Sequence, residues 1–76
     1  MITKKVAKER AREVWDYFMN DNYEALCYED DGLSWQIRLD EDDETFIISV
    51  EGYSEEHSDW VCRDDVVDII YEFLNR

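Results

Sequence analysis

The dipeptide Asp31-Gly32 constrains the fold of this 76-residue chain more than any other feature. Asp-Gly between two segments of alternating apolar and polar residues is a strong signal for a two-residue type I′ hairpin. If these two residues form the loop, Tyr28 pairs with Trp35 and Leu26 pairs with Ile37. Both pairs place large apolar side chains on one face, and a shift by one residue would break this agreement. The pattern therefore predicts two antiparallel strands in this register.

A third strand is predicted over about residues 45–51, where large apolar residues again occupy alternate positions. A loop at residues 41–44 joins it to the second strand and sets the register. The resulting pairs are Leu39 with Phe46, Ile37 with Ile48 and Trp35 with Val50. All these side chains fall on one face, so we expect a three-stranded antiparallel meander.

Two amphipathic helices flank the predicted strands. The first covers about residues 3–20, with Thr3 as its N-cap, and the second about residues 62–75. Residues 52–61 are predicted to form a loop, with a short extended piece at Trp60-Val61. No Pro-, Gly- or Ser-rich boundary divides the chain, which indicates a single compact domain over residues 1–76. The expected fold is α+β with the order α-β-β-β-α: a three-stranded antiparallel sheet with two helices packed on one face.

The chain is strongly acidic, and its charge is unevenly distributed. Eight Lys and Arg residues stand against 21 Asp and Glu residues, which gives a formal net charge of −13. Residues 1–13 nevertheless carry five cations against two acids. This basic segment, Lys4–Arg12, either offsets the acidic body or contacts a partner. The net charge exceeds what a small domain needs for solubility, which favours a function for the acidic surface over a merely solvated one, although both explanations stay open.

The acidic residues are predicted to collect at both ends of the meander, roughly 20 Å apart. One end combines the first hairpin loop with the end of the third strand, and the other end carries the loop at 41–44, near Asp21 and Glu24. Tyr53 and Trp60 are either core residues or apolar anchors for a partner. The candidate partner-binding residues are Glu29, Asp30, Asp31, Glu51, Glu55, Glu56 and Asp59 at the first end, Asp40, Glu41, Asp42, Asp43 and Glu44 at the second, and Tyr53 and Trp60.

The residues give little support to other classes of function. The single histidine, His57, has no Ser or Cys placed around it in a nucleophile pattern, so no catalytic residue is expected. Asp40–Glu44 lacks the glycine of an EF-hand loop, and Cys27 and Cys62 lack companions for zinc, so no metal or other cofactor is expected. The cysteines are expected to be reduced thiols, with a disulfide between them as the alternative. The negative charge disfavours direct binding to nucleic acid, and no apolar run approaches the ~20 residues that span a membrane.

The chain resembles the small acidic inhibitor proteins made by bacteriophages, such as the anti-CRISPR proteins and the DNA-mimic inhibitors of restriction enzymes and glycosylases. The resemblance consists of the size, the acidic body, the absence of Pro, the helix–meander–helix order and the acidic turns at Glu29-Asp30-Asp31 and Asp40–Glu44. It implies non-enzymatic inhibition by occupying a nucleic-acid-binding surface, such as the target-DNA site of a CRISPR effector. No sequence motif is shared, so no binding residue is carried over. The basic segment Lys4–Arg12 departs from a uniformly acidic mimic.

We therefore expect a non-enzymatic acidic inhibitor in the cytoplasm of a bacterial host. It would act as a monomer or homodimer, bind a basic nucleic-acid-binding protein and compete with the DNA or RNA of that protein. Two alternatives are open. One is an immunity protein or antitoxin that neutralises a nuclease toxin. The other is a homo-oligomeric adaptor that uses the uncovered face of the sheet around Ile47.

Overall fold

The computed structural model of the protein describes residues 1–76 and shows two helices and four strands. The elements, in chain order, are α1 (Lys4–Met19), β1 (Leu26–Asp30), β2 (Leu33–Asp40), β3 (Thr45–Val50), β4 (Tyr53–His57) and α2 (Arg63–Leu74). The strands form one antiparallel sheet in the order β1-β2-β3-β4, and both helices lie on the same face of it. Neither helix is long and apolar enough to cross a membrane.

The expectation of three strands is wrong, because a fourth strand lies where a loop was predicted. Glu51-Gly52 forms a second two-residue turn, with φ of 38° at Glu51 and 81° at Gly52. The same left-handed backbone occurs at Asp31-Gly32, with φ of 51° and 78°. β4 then pairs with β3 along its whole length. The positions of β4 that share a face with the core are Tyr53, Glu55 and His57, so this strand lacks the aliphatic alternation that marks the others.

The predicted register of the first three strands is confirmed. Tyr28 pairs with Trp35 and Leu26 with Ile37 across the first hairpin. The pairs across the second hairpin are Trp35 with Val50, Ile37 with Ile48 and Leu39 with Phe46. The large apolar side chains of the three strands therefore face the helices together, as the alternation requires.

The two predicted helices are confirmed, with ends that agree to within one residue. The hydroxyl of Thr3 caps α1 and accepts a hydrogen bond from the amide of Val6 at 3.2 Å. At the start of α2, the carboxylate of Asp65 accepts hydrogen bonds from the amides of Val61 and Cys62. These backbone hydrogen bonds lower the pKa of Asp65. The buried core is entirely apolar and consists of Ile2, Ala7, Ala11, Val14, Phe18, Trp35, Ile37, Leu39, Phe46, Ile48, Val66, Val67, Ile69, Ile70, Phe73 and Leu74.

The chain termini meet at one end of the sheet. The amide of Ile2 donates to the side-chain oxygen of Asn75 at 2.8 Å, and the Asn75 amide group donates to the carbonyl of Ile2 at 3.1 Å. α1 therefore begins beside the end of α2, next to the turn at Asp31, which pairs with the N-terminal ammonium group. At the opposite end of the sheet, the ring of Phe18 near the end of α1 packs against Phe46 with centroids 5.7 Å apart.

The face of the sheet opposite the helices is uncovered. Its side chains, which are mostly small or polar, are Cys27, Glu29, Ser34, Gln36, Arg38, Asp40, Thr45, Ile47, Ser49, Ser54 and Glu56. Both cysteines are exposed free thiols, and no disulfide joins Cys27 to Cys62. A shallow depression of about 500 Å³ lies on this face between β1, β2 and the Glu51-Gly52 turn.

Candidate functional site

The meander gathers most of the predicted partner-binding acids at the two ends of the sheet. We call the end with the two short turns the first acidic end, and the end with the longer loop the second acidic end. The first acidic end consists of Glu29, Asp30, Asp31 and Glu51. The second acidic end consists of Asp21, Asp40, Glu41, Asp42, Asp43, Glu44 and Asp59. The two ends differ in how many of their charges are free.

At the first acidic end, Asp30 is paired inside the protein. Its carboxylate accepts two hydrogen bonds from the guanidinium of Arg10, at 2.7 and 3.0 Å, and one from the indole N–H of Trp35 at 3.0 Å. The hydrogen bond from Arg10, helped by that from Trp35, lowers the pKa of Asp30. Only 11% of the Asp30 side chain is exposed. Asp31 pairs with the N-terminal ammonium group, so half of this end is neutralised locally.

Part of the basic segment Lys4–Arg12 serves these internal contacts. The guanidinium of Arg10 lies 4.5 Å from the centre of the Tyr28 ring, and the Tyr28 hydroxyl donates to Glu13 at 2.9 Å. Burial and this hydrogen bond raise the pKa of Tyr28. The ammonium group of Lys4 lies 3.7 Å from the Asp68 carboxylate and 4.7 Å from the centre of the Tyr71 ring. Two of the five cations in the segment therefore pair with acids of the same chain, as expected if the segment offsets the acidic body.

At the second acidic end, none of the seven carboxylates forms an ion pair. Five of the seven belong to Asp40–Glu44, and this segment has a defined conformation. The Asp40 carboxylate accepts hydrogen bonds from the amides of Asp42 at 2.9 Å and Asp43 at 3.3 Å. The amide of Glu44 donates to the Asp40 carbonyl at 2.9 Å, and Glu44 has a left-handed backbone with φ of 53°. This end thus presents carboxylates without ion pairs, most of them exposed and five of them on an ordered segment.

Trp60 joins the second acidic end to the core. Its ring packs edge-on against Phe46, with centroids 4.7 Å apart, and against Trp15 at 5.8 Å. Its indole N–H donates to the backbone carbonyl of Glu44 at 3.0 Å. Trp60 is therefore a structural anchor for the loop, and because it is only partly buried, one side of it also borders a surface groove.

The prediction that Glu55, Glu56 and Asp59 lie at the first acidic end is wrong. Because β4 is a strand and not a loop, it carries the chain back toward the second acidic end. The Glu56 side chain is on the uncovered face, in the row with Arg38 and Ile47. Asp59 follows β4 and precedes Trp60, which places it at the second acidic end.

The charge of Glu55 is compensated by Arg76, the last residue of the chain. Its carboxylate pairs with Arg76, accepts a hydrogen bond from the Tyr53 hydroxyl at 3.0 Å and lies 3.1 Å from Nε2 of His57. The ring of Tyr53 stacks on Phe73, with centroids 5.7 Å apart, and 57% of the residue remains exposed. Glu55 and Tyr53 therefore fasten α2 to the edge of the sheet.

Sequence reasoning missed the end of α1 as part of the site. A groove lies between this helix end and the loop at 41–44, and its volume is about 260 Å³. The groove is lined by Phe18, Met19, Asp21, Tyr23, Leu39, Asp40, Glu41, Glu44 and Trp60. Met19 continues the helical spacing of apolar residues in α1, yet it is 43% exposed. The signal in the sequence is that Met19 is the last apolar residue before the polar run Asn20-Asp21-Asn22.

Three or more metal-ligating side chains do not converge anywhere in the structure. Comparisons of the chain with protein-family models, with curated proteins and with solved structures find no match in any of the three.

Proposed function

We propose that this protein is a non-enzymatic inhibitor that binds a basic nucleic-acid-binding protein and occupies its surface for DNA or RNA. The observation that carries the proposal is the second acidic end, where seven carboxylates on an ordered loop and its surroundings have no internal cation. Duplex DNA is recognised first through its phosphates, which present about one charge per ~1.7 Å of helix axis. Fixed carboxylates on an elongated surface can occupy the same basic cleft.

The charge distribution favours rapid association with such a partner. The carboxylates of the second acidic end form no ion pairs, whereas Arg10 and Lys4 are paired with Asp30 and Asp68. A concentrated patch of one sign steers an oppositely charged protein toward it and raises the association rate, and this effect weakens as salt is added. The same patch repels nucleic acid itself.

Acidic residues also occupy backbone positions that are costly for them. Glu44 and Glu51 have φ of 53° and 38°, a region in which Gly and Asn are far better tolerated than Glu. Both residues add to the repulsion within a chain that already carries a net charge of −13. Carboxylates kept at positions that cost stability support a role for these charges in binding.

The architecture supports the same class of function as the resemblance to phage-encoded anti-CRISPR and DNA-mimic inhibitors. A CRISPR effector is one target of suitable chemistry, since its nucleic-acid channel is lined by cations. The proposed place of action is the cytoplasm of the bacterial host. The geometry around His57 supports a structural role for the one histidine, because its ring nitrogen contacts Glu55 beside the C-terminus.

The test is affinity capture with the full chain. Tagged protein is immobilised, exposed to a nuclease-treated bacterial lysate at low salt, washed, and eluted with high salt or with duplex DNA. We expect one basic nucleic-acid-binding protein to be retained and then released by both treatments. Asp42→Asn/Asp43→Asn should retain much less of it, whereas Glu9→Gln/Glu72→Gln, which removes two exposed helix carboxylates, should retain a normal amount.

Two results would overturn the proposal: retention of the same protein after neutralising the second acidic end, and a complex that neither salt nor DNA dissociates. If the retained protein is instead a nuclease toxin encoded beside this chain, the immunity-protein alternative replaces the inhibitor.

A further inference from the structure

We propose that the groove between α1 and the loop at 41–44 is a binding pocket for one arginine side chain of the partner protein. The inference rests on the proposed function. It adds which end of this molecule makes the central contact with the partner, and which side chain of the partner fills the groove.

The groove has an apolar lining that is open to the surface. Phe18 and Leu39 form its buried part, and Trp60 closes one side. Met19 and Tyr23 border it and are 43% and 36% exposed, which makes them two of the five exposed large apolar side chains of the protein. Neighbouring exposed apolar groups beside a cavity mark a surface that gains by being covered.

The charges around the groove are all negative. Asp21, Asp40, Glu41 and Glu44 line it, and no Lys, Arg or His is among its lining residues. α1 ends at the groove and has no basic residue in its last turn, so the negative end of its dipole adds to the field of the carboxylates. The occupant must therefore be a cation.

Size and chemistry together select an arginine side chain. The volume of about 260 Å³ lies below the roughly 300–1,000 Å³ of pockets that hold small molecules, and it suits a single long side chain. An arginine has an apolar stem for the lining and a charged head for the carboxylates. Its planar guanidinium also stacks on aromatic rings and forms paired hydrogen bonds with carboxylates, which an ammonium group does not match. Tyr23 and Trp60 supply the rings.

The first acidic end also has a depression, but that depression carries fewer acids than the groove. It lies on the uncovered sheet face, has a volume of about 500 Å³ and includes Tyr28 and Trp35 in its lining. Its only acids are Glu29 and Glu51, whereas four acids line the groove. Asp30 and Asp31 are already paired with Arg10 and the N-terminus. The basic protein is therefore expected to make its central contact at the second acidic end.

The test is an NMR titration of the full, isotope-labelled chain with three short capped peptides, Gly-X-Gly, in which X is arginine, lysine or citrulline. Citrulline has nearly the shape of arginine but no charge. We expect the arginine peptide to shift the indole N–H signal of Trp60 and the methyl signal of Met19. The lysine peptide should shift them several-fold less at equal concentration, and the citrulline peptide should leave them unchanged.

Variants locate the binding. Glu41→Gln/Glu44→Gln should weaken binding of the arginine peptide roughly fivefold. Met19→Ser should weaken it without any change in charge, whereas Glu29→Gln/Glu51→Gln at the first acidic end should leave it unchanged. Met19 and the four acids are exposed, so these variants are expected to fold.

Three results would overturn the pocket: equal shifts from the arginine and lysine peptides, shifts spread equally over both acidic ends, or binding that Met19→Ser does not alter. Its failure is distinct from failure of the proposed function. If the peptide does not bind but a basic protein is still captured and released by DNA, only the pocket is lost. If the peptide binds but no such protein is captured, the proposed function is lost.

Discussion

The indole N–H of Trp60 donates a hydrogen bond to the backbone carbonyl of Glu44 at 3.0 Å, and this bond joins the aromatic core to the second acidic end. The ring of Trp60 is itself fixed by Phe46 and Trp15. The position of the acidic loop therefore depends on core packing as well as on the hydrogen bonds within the loop. A partner would meet carboxylates whose backbone is already ordered, which lowers the entropy cost of binding.

Trp60→Phe should loosen this loop. The substitution keeps an aromatic ring but removes the donor, and we expect a loss of about 1 kcal/mol in the free energy of unfolding. Hydrogen exchange should accelerate at the amides of Asp42, Asp43 and Glu44 more than in the helices. Trp15→Phe is the control, because Trp15 packs against Trp60 but makes no hydrogen bond to the loop. Unchanged exchange in the loop of Trp60→Phe would show that the bond does not order it.

Asp30→Asn should destabilise the protein in a pH-dependent way. The carboxylate is bound by Arg10 and Trp35, and removing its charge should cost about 2 kcal/mol at neutral pH. The pKa of Asp30 is lowered by folding, so its stabilisation is present above the unfolded value of about 3.9 and is lost as the pH falls through the folded pKa. The difference in unfolding free energy between the two proteins should therefore be constant near pH 7 and shrink in strong acid.

Urea denaturation at a series of pH values measures this difference. Asp43→Asn is the matched control, since it removes an exposed carboxylate that forms no ion pair. A difference for Asp30→Asn that stays constant into strong acid would contradict the assignment of the stabilisation to the ionised carboxylate.

Glu51→Asn should stabilise the protein. Glu51 has φ of 38° in the turn before β4, and Asn-Gly is the preferred pair for a type I′ turn. Relief of the backbone cost should raise the free energy of unfolding by up to about 1 kcal/mol. Glu51→Gln removes the same charge but keeps a residue that disfavours this backbone. If thermal unfolding shows the same gain for both variants, the cause is charge repulsion and the argument from backbone conformation is wrong.

Local sequence pattern was sufficient to predict the helices and the register of three strands. Large apolar residues alternate with polar ones within β2 and β3, and the register that pairs Trp35 with Tyr28 and Val50 places these residues on one face. β4 was not predicted because Glu55 and His57 occupy two of its positions on the core face. These two side chains contact each other and Glu55 also pairs with Arg76, so β4 lacks the alternating aliphatic residues that mark a strand.

The state of individual acids depends on contacts between distant residues, which sequence pattern does not reveal. Asp30 and Asp42 are both acids in predicted turns, yet Asp30 is bound by Arg10, 20 positions earlier, and Asp42 has no ion pair. The groove beside Met19 likewise depends on how the end of α1 meets the loop at 41–44. The sequence therefore predicted the acidic ends as regions but not which of their charges are free.

The acidic loop should control the rate of association with the captured basic protein. Asp42→Asn/Asp43→Asn should slow association and reduce its dependence on salt, with a smaller effect on dissociation, because long-range attraction acts mainly on the approach. Stopped-flow measurements at several ionic strengths test this. The first-end variant Glu29→Gln/Glu51→Gln removes the same amount of charge, and an equal effect from it would show that only net charge matters.

Competition with nucleic acid tests the central claim most directly. The captured protein is bound to fluorescently labelled duplex DNA or RNA, and this chain is added while the anisotropy of the nucleic acid is followed. We predict that the labelled nucleic acid is released, and that the concentration of the chain needed for half release rises as the concentration of the labelled nucleic acid is raised. A complex in which the protein holds the nucleic acid and this chain together, with unchanged anisotropy, would contradict the claim.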